Sequence, residues 1–91
     1  LKNYTLNKNE RKLLKDDLSI VLTEKEVQLL ELFVRKNKIL SKKEILENVW
    51  KYSSETDTHT VETHIYRLRK KIKQIFSDDK FILNYENGYS I

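Results

Sequence analysis

The sequence has no cysteine, no methionine and no proline, and a single glycine in 91 residues. Without cysteine there is no disulfide framework and no thiolate metal site. That suits a reducing compartment, and the cytoplasm is the expected location. A translated protein starts with methionine, so the missing one points to a piece of a longer chain. One glycine, Gly88, leaves no phosphate-cradling glycine loop. No Pro- or Gly-rich linker, repeat or low-complexity tract divides the sequence. No apolar run approaches the roughly 20 residues of a membrane span, and no signal peptide opens the chain. No membrane partner is expected. No nucleophile–base pair appears, and an enzyme reading has little support.

What is present fits one small folded domain over residues 1–91, with a modest core. Hydrophobic residues make up 38%, and the charged fraction of 35% implies a heavily solvated surface. The net charge of +4 is unevenly placed. Between Thr58 and Ile75 stand Arg67, Arg69, Lys70, Lys71 and Lys73 against the lone acid Glu62. The rest of the chain holds 13 basic and 13 acidic residues, which cancel. A positive excess confined to one segment is the electrostatic footprint of a polyanion binder. The plainer reading is a solvated helix face.

Residues 1–22 read as short strands. Tyr4 and Leu6 alternate with polar residues, Leu13 and Leu14 precede an Asp16-Asp17 turn, and Leu18, Ile20 and Leu22 alternate as a half-buried strand should. Residues 23–76 read as three helices. Thr23 and Glu26 form a capping-box pattern. After it Val27, Leu29, Leu30, Phe33 and Val34 share one face, with Leu32 off it and Asn37 at the end. Ser41 and Glu44 repeat the box, and Ile45, Leu46, Val49 and Trp50 make the next buried face. Residues 51–57 have no periodicity and read as a loop. Asp57 or Thr58 caps the third helix, whose apolar stripe is Val61, Ile65, Leu68 and Ile72, with Ile75 a further candidate. Ser77-Asp78-Asp79 ends it. Residues 80–91 read as a hairpin, with Asn87-Gly88 suited to a tight type I′ turn.

Opposite the apolar stripe stand His59, Thr63, Tyr66, Arg67, Lys70 and Lys73 or Gln74, flanked by Thr60, His64 and Arg69. This mixture suits a duplex major groove. Arg can grip guanine O6 and N7, a Thr methyl can meet a thymine methyl, and Lys and Tyr can hold phosphates. Three helices with the third exposed and basic, followed by a hairpin, make a winged helix-turn-helix layout. The fold class expected is α+β, with an N-terminal antiparallel sheet, a three-helix core and a C-terminal hairpin wing.

The stretches LTEKEVQLLELFVRKNKILSKKEILENVW, TVETHIYRLRKKI and NGYSI resemble the OmpR/PhoB-type effector domains of bacterial two-component response regulators. The likeness runs through nearly the whole chain, and its parts reinforce one another. The resemblance implies a four-stranded N-terminal sheet and sequence-specific binding to promoter DNA, usually as head-to-tail homodimers on direct repeats. It implies a receiver domain ahead of this one, through which a cognate sensor kinase acts, and no cofactor. Carried onto this chain, the recognition residues are His59, Thr60, Thr63, His64, Tyr66, Arg67 and Arg69. Trp50 matches a position that touches the phosphate backbone. Lys51, Tyr52, Ser53, Ser54, Glu55, Thr56 and Asp57 match a loop that in some members contacts RNA polymerase.

Two departures stand out. His59 opens the helix where the family commonly has Arg, so base preference should differ and binding can respond to pH. The wing is one residue shorter and has no Arg or Lys, and Glu86 would face phosphates unfavourably. Its expected contacts reduce to Asn84, Asn87 or Tyr89, or it mainly braces the helix. Plainer roles stand beside these. Trp50 is first a core residue, Tyr66 can shield Lys and Arg stems, and His64 can be a packing residue bonded to the neighbouring sheet or loop. His59 and His64 lie about 140° apart, at about 100° per helical residue, so they make no metal-ligand pair. The main alternative is a winged-helix protein-interaction module whose basic helix faces an acidic partner. Structured RNA suits the helix less, because the A-form major groove is narrow.

Overall fold

The computed structural model describes residues 2–51 and 58–91. Strands β1 (Thr5–Asn7), β2 (Lys12–Lys15) and β3 (Leu18–Val21) form an antiparallel meander in that order. Among the described residues this sheet has three strands, not the four implied by resemblance. Lys2 and Asn3 take positive φ values of 50° and 75°, which an extended strand does not accommodate. The two-residue turn at Asp16-Asp17 forms as expected, with Asp16 at φ 54°, a conformation Asp tolerates. The inner face carries Leu6, Leu13 and Ile20 in register. Leu18, expected to be buried, is exposed, in the pair that closes the Asp16-Asp17 turn at the end of the sheet.

Helix α1 (Glu24–Lys36) starts with a complete capping box. The Thr23 hydroxyl accepts from the Glu26 amide at 3.1 Å, and Glu26 accepts from the Thr23 amide at 2.8 Å. Asn37 closes it in the left-handed conformation, its amide donating to the Phe33 carbonyl. Two positions on α1 reverse the expectation: Leu32 is buried and Val34 is exposed. The flank carrying Leu32 is covered by the second helix, whose Val49 and Trp50 border the same groove. Val34 sits in the last turn, at the open edge of a groove beside β1.

Helix α2 (Lys42–Ile45), with the Ser41–Glu44 capping box also complete, runs straight into a π-helical turn, Leu46–Trp50. Lys51 ends it in the left-handed conformation. Residues 52–57, including Asp57 as a possible cap, lie outside the described residues. Helix α3 (His59–Phe76) follows, with Thr58 at the N-cap position but making no side-chain cap bond. Val61, Ile65, Leu68 and Ile72 are buried, as their spacing predicts. Ile75 is 43% exposed, and Phe76 packs against the core in its place at the helix end. Ser77 terminates α3 in the left-handed conformation.

The hairpin pairs β4 (Leu83–Tyr85) with β5 (Gly88–Ser90). Its two-residue turn is Glu86-Asn87, not Asn87-Gly88, because Tyr85 pairs with Gly88. Neither turn residue has positive φ, so the type I′ expectation fails. A backbone bridge joins Tyr89 to Leu40 through two hydrogen bonds of 2.8 and 2.9 Å, docking the wing beside the start of α2. At the other end of the core, Tyr4 meets Phe76 and Phe81 edge-to-face and donates to Asp78 at 2.8 Å. Burial, reinforced by Asp78, pushes the Tyr4 hydroxyl well above its ordinary pKa. Asp78 stays below the usual carboxylate value despite its own burial, held there by the Lys80 amide and the Tyr4 hydroxyl. This cluster ties the sheet to the link between α3 and the wing.

Candidate nucleic-acid interface

Helix α3 is amphipathic from end to end. Its buried stripe turns His59, Tyr66, Arg67, Lys70, Lys73 and Gln74 outward, all exposed. Tyr66 is 66% exposed, so it is displayed rather than packed. Thr63 lies on the outward face but is half-buried, and Thr60, His64 and Arg69 are half-buried on the flanks. The Thr63 hydroxyl donates to the His59 carbonyl at 3.1 Å, which commits its proton to the helix.

The charge excess survives in three dimensions, but one of its five cations is used internally and its lone acid is engaged. Lys71 donates to Glu26 at 2.7 Å and to the Val21 carbonyl at 3.1 Å, so it ties α3 to α1 and β3. Glu62 pairs with Lys42 of α2 and with His59. The Lys42 hydrogen bond is the main cause holding the Glu62 carboxyl below its ordinary pKa, with His59 adding to it. Arg67, Arg69, Lys70 and Lys73 remain, and none of the four sits in an ion pair among the described residues. Sequence spacing alone did not separate Lys71 from this set, because its partner Glu26 is 45 residues away.

Trp50 and His64 form one unit. Their rings meet edge-to-face at 4.8 Å, and His64 Nδ1 lies 2.9 Å from the Thr60 carbonyl. His64 therefore packs, and its hydrogen bond goes to its own helix rather than to the sheet or loop. Trp50 is half-buried against the core, with Lys25 over its ring at 5.9 Å and donating to the Val49 carbonyl.

The wing divides the remaining expected contacts. Asn84 and Asn87 are exposed and uncharged. Tyr89 is buried in the core and is not displayed, because the Leu40 bridge holds its strand against the start of α2. Glu86 is exposed at the turn. A groove runs between α3 and the link to the wing, lined by Tyr66, Arg69, Lys70 and Lys73 on one wall and Asp78 and Phe81 on the other. Of the loop matched to a polymerase contact, Lys51 is exposed; Tyr52, Ser53, Ser54, Glu55, Thr56 and Asp57 lie outside the described residues. Among the described residues no group of acids and histidines could hold a metal, and no helix is long and apolar enough to cross a membrane.

Residues 17–91 match the family model described as transcriptional regulatory protein, C terminal. The chain is 38% identical over 74 residues to the heme response regulator HssR of Staphylococcus aureus, covering 80% of this chain and 33% of that protein. It thus spans about one third of the length of the curated relatives it matches. The C-terminal domain of the nisin resistance regulator NsrR superposes with a TM-score of 0.79 at 29% identity, covering 99% of this chain and 92% of that one. The DNA-binding domain of the response regulator AdeR, solved in complex with an intercistronic region, superposes with a TM-score of 0.82. That match covers 100% of this chain and 95% of the other, and at 19% identity it speaks to the fold alone. The chain belongs to the transcriptional regulatory protein C-terminal family, the OmpR/PhoB-type winged-helix DNA-binding domains of response regulators.

Proposed function

We propose that this domain binds double-stranded promoter DNA sequence-specifically, with α3 in the major groove and the hairpin as wing. The observation that carries the reading is the face of α3 itself. Arg67, Lys70 and Lys73, with Arg69 on the flank, sit in no ion pair among the described residues and stand with His59, Thr63 and Tyr66 on the side away from the buried stripe. Arg67, near the centre of that face, is the base reader. Lys70, Lys73 and Arg69 hold phosphates and set position. The wing adds little charge and contacts DNA through Asn84 or Asn87, while its main work is to brace α2 through the Leu40 bridge. Trp50, fixed by His64, touches the backbone beside the helix.

The finer parts of the reading rest on family likeness. The domain acts in the cytoplasm, binds direct repeats as a homodimer, and follows a receiver domain addressed by a sensor kinase. Residues 51–57 meet RNA polymerase.

Fluorescence anisotropy with a selected duplex pool at two salt concentrations tests the reading. If Lys70, Lys73 and Arg69 meet phosphates, the slope of log K against log salt should lie at roughly −3. A recovered motif with that slope supports a sequence-specific regulator. Salt-sensitive binding without preference would leave only a backbone-holding helix, and no binding at low salt would favour an acidic protein partner. Within the same assay, Arg67→Ala should cost about 1–3 kcal/mol on the preferred duplex and relax discrimination at one position. Equal weakening on every duplex would demote Arg67 to a phosphate contact. Lys70→Ala should leave the motif intact and reduce the salt slope by about 1.

A further inference from the structure

The second helix ends in the π-helical turn Leu46–Trp50, and Lys51 breaks it in the left-handed conformation. A π turn changes the angle at which its last side chain projects, because i→i+5 hydrogen bonding replaces the α-helical spacing. The side chain redirected here is Trp50. Its indole N–H has no acceptor among the described residues and is not buried. The last carbonyls of a helix have no partner within it. That of Val49 accepts from Lys25 of α1 at 3.2 Å. The same ammonium lies 3.4 Å from the Gln28 side-chain oxygen and 5.9 Å from the centre of the Trp50 ring, within cation–π range. Lys25 is half-buried and sits in no ion pair among the described residues. An ammonium spent on the end of another helix acts as a brace rather than as solvated surface charge.

We infer that Lys25 is a positioning residue for the backbone contact of Trp50: by holding the Val49 carbonyl it locks the end of the π-helical turn and keeps the indole N–H aimed at a phosphate oxygen. The inference rests on the DNA-binding role proposed for α3 and Trp50. An indole offers one donor and no charge, so its hydrogen bond to a phosphate depends on direction. His64 supplies part of the hold, its ring meeting Trp50 edge-to-face at 4.8 Å from the α3 side. That contact restrains the ring but not the backbone that carries it. Lys25 restrains the backbone, from α1. Lys25 does not itself neutralise a phosphate, because its ammonium is directed to Val49, Gln28 and the indole face.

The test uses this 91-residue domain on its selected duplex, with affinity read by anisotropy over a range of salt. Trp50→Phe keeps an aromatic ring and removes the N–H. It should weaken binding roughly tenfold or more, as for one hydrogen bond to a charged group, at unchanged salt slope and base preference. Lys25→Met keeps the stem packed and removes the donor. It should weaken binding roughly three- to tenfold, again at unchanged slope, and that loss should vanish to within about twofold in the Trp50→Phe background. Lys25→Arg can still donate to the Val49 carbonyl and should retain most of the affinity. The inference is overturned if Lys25→Met leaves affinity unaltered, or if its loss persists in full beside Trp50→Phe, as a general destabilisation of the domain would give. It is also overturned if Lys25→Met lowers the salt slope by about 1, which would make Lys25 a phosphate contact in its own right. Full affinity in Trp50→Phe overturns it too. Each of these results leaves the DNA-binding reading standing. An unaltered domain with no preferred duplex would instead sink that reading, and the inference with it.

Discussion

Gly88→Ala should lower the stability of the domain by about 3 kcal/mol or more, in the range reserved for backbone strain and steric conflict. A Cβ at this position would stand 2.0 Å from the Leu40 carbonyl oxygen and 2.7 Å from its carbon. Both are backbone atoms, so no side chain can swing aside. The Gly88 φ of 152° adds strain for any residue with a Cβ. Against this stands the entropy an alanine removes from the unfolded chain, about 0.4–1 kcal/mol, which is too small to compensate. Relief requires β5 to leave α2, breaking both Leu40–Tyr89 hydrogen bonds and lifting the buried Tyr89 from the core. At 4–8 °C per kcal/mol for a domain of this size, Tm should fall by about 12–24 °C. Calorimetry checks this. A fall of only a few degrees would mean that the wing hinges away cheaply and does not hold α2 in place.

That role for Gly88 illustrates what the sequence conceals. The Asn87-Gly88 dipeptide reads as a turn, and local chemistry supports the reading. The glycine is required instead by a backbone 48 residues away, which no local pattern reveals. The elements that were legible are those whose signals are local. Both capping boxes formed as spelled out by Thr23/Glu26 and Ser41/Glu44, and the 3.6-residue spacing of Val61, Ile65, Leu68 and Ile72 placed the displayed face of α3. The misread positions lie where a second neighbour intervenes. Leu32 is off the main face of α1 but is covered by the second helix. Val34 and Ile75 are on their faces but fall in the last turns of their helices, where they stay exposed. Tyr89 reads as a wing residue, yet the bridge to Leu40 draws it inward. Within the candidate site, Arg67, Lys70, Lys73 and Tyr66 were legible because exposure follows from periodicity. The different fate of Lys71 depended on a partner in another helix.

The Lys71–Glu26 pair yields the second large effect, and its asymmetry is the informative part. The Glu26 side chain is 6% exposed and that of Lys71 33% exposed. Lys71→Met strands a nearly buried carboxylate, which among the described residues then keeps only the Thr23 amide as a donor. The cost should be about 2–4 kcal/mol, toward the lower end for a buried pair because Lys71 was itself partly solvated. Glu26→Gln preserves the capping box, since Gln can also accept from Thr23. It strands only an ammonium that can extend into solvent while its stem stays packed. That variant should cost about 1 kcal/mol, the net value of an ordinary hydrogen bond. The double variant removes the charge imbalance altogether and should be more stable than Lys71→Met alone, giving a coupling of about 1–3 kcal/mol. Urea unfolding of the four proteins measures each term. Equal costs for the two single variants would show that Glu26 is not isolated from water, and an additive double variant would show that the pair does not interact. The consequence reaches the DNA face. Lys71 sits one residue from Lys70 and is bonded to both β3 and α1, so it adds to the buried stripe in holding the roll of α3 about its axis. Freeing that flank lets the helix turn within its bed. Lys71→Met should therefore weaken binding to the preferred duplex more than to random DNA, although Lys71 itself never faces the groove.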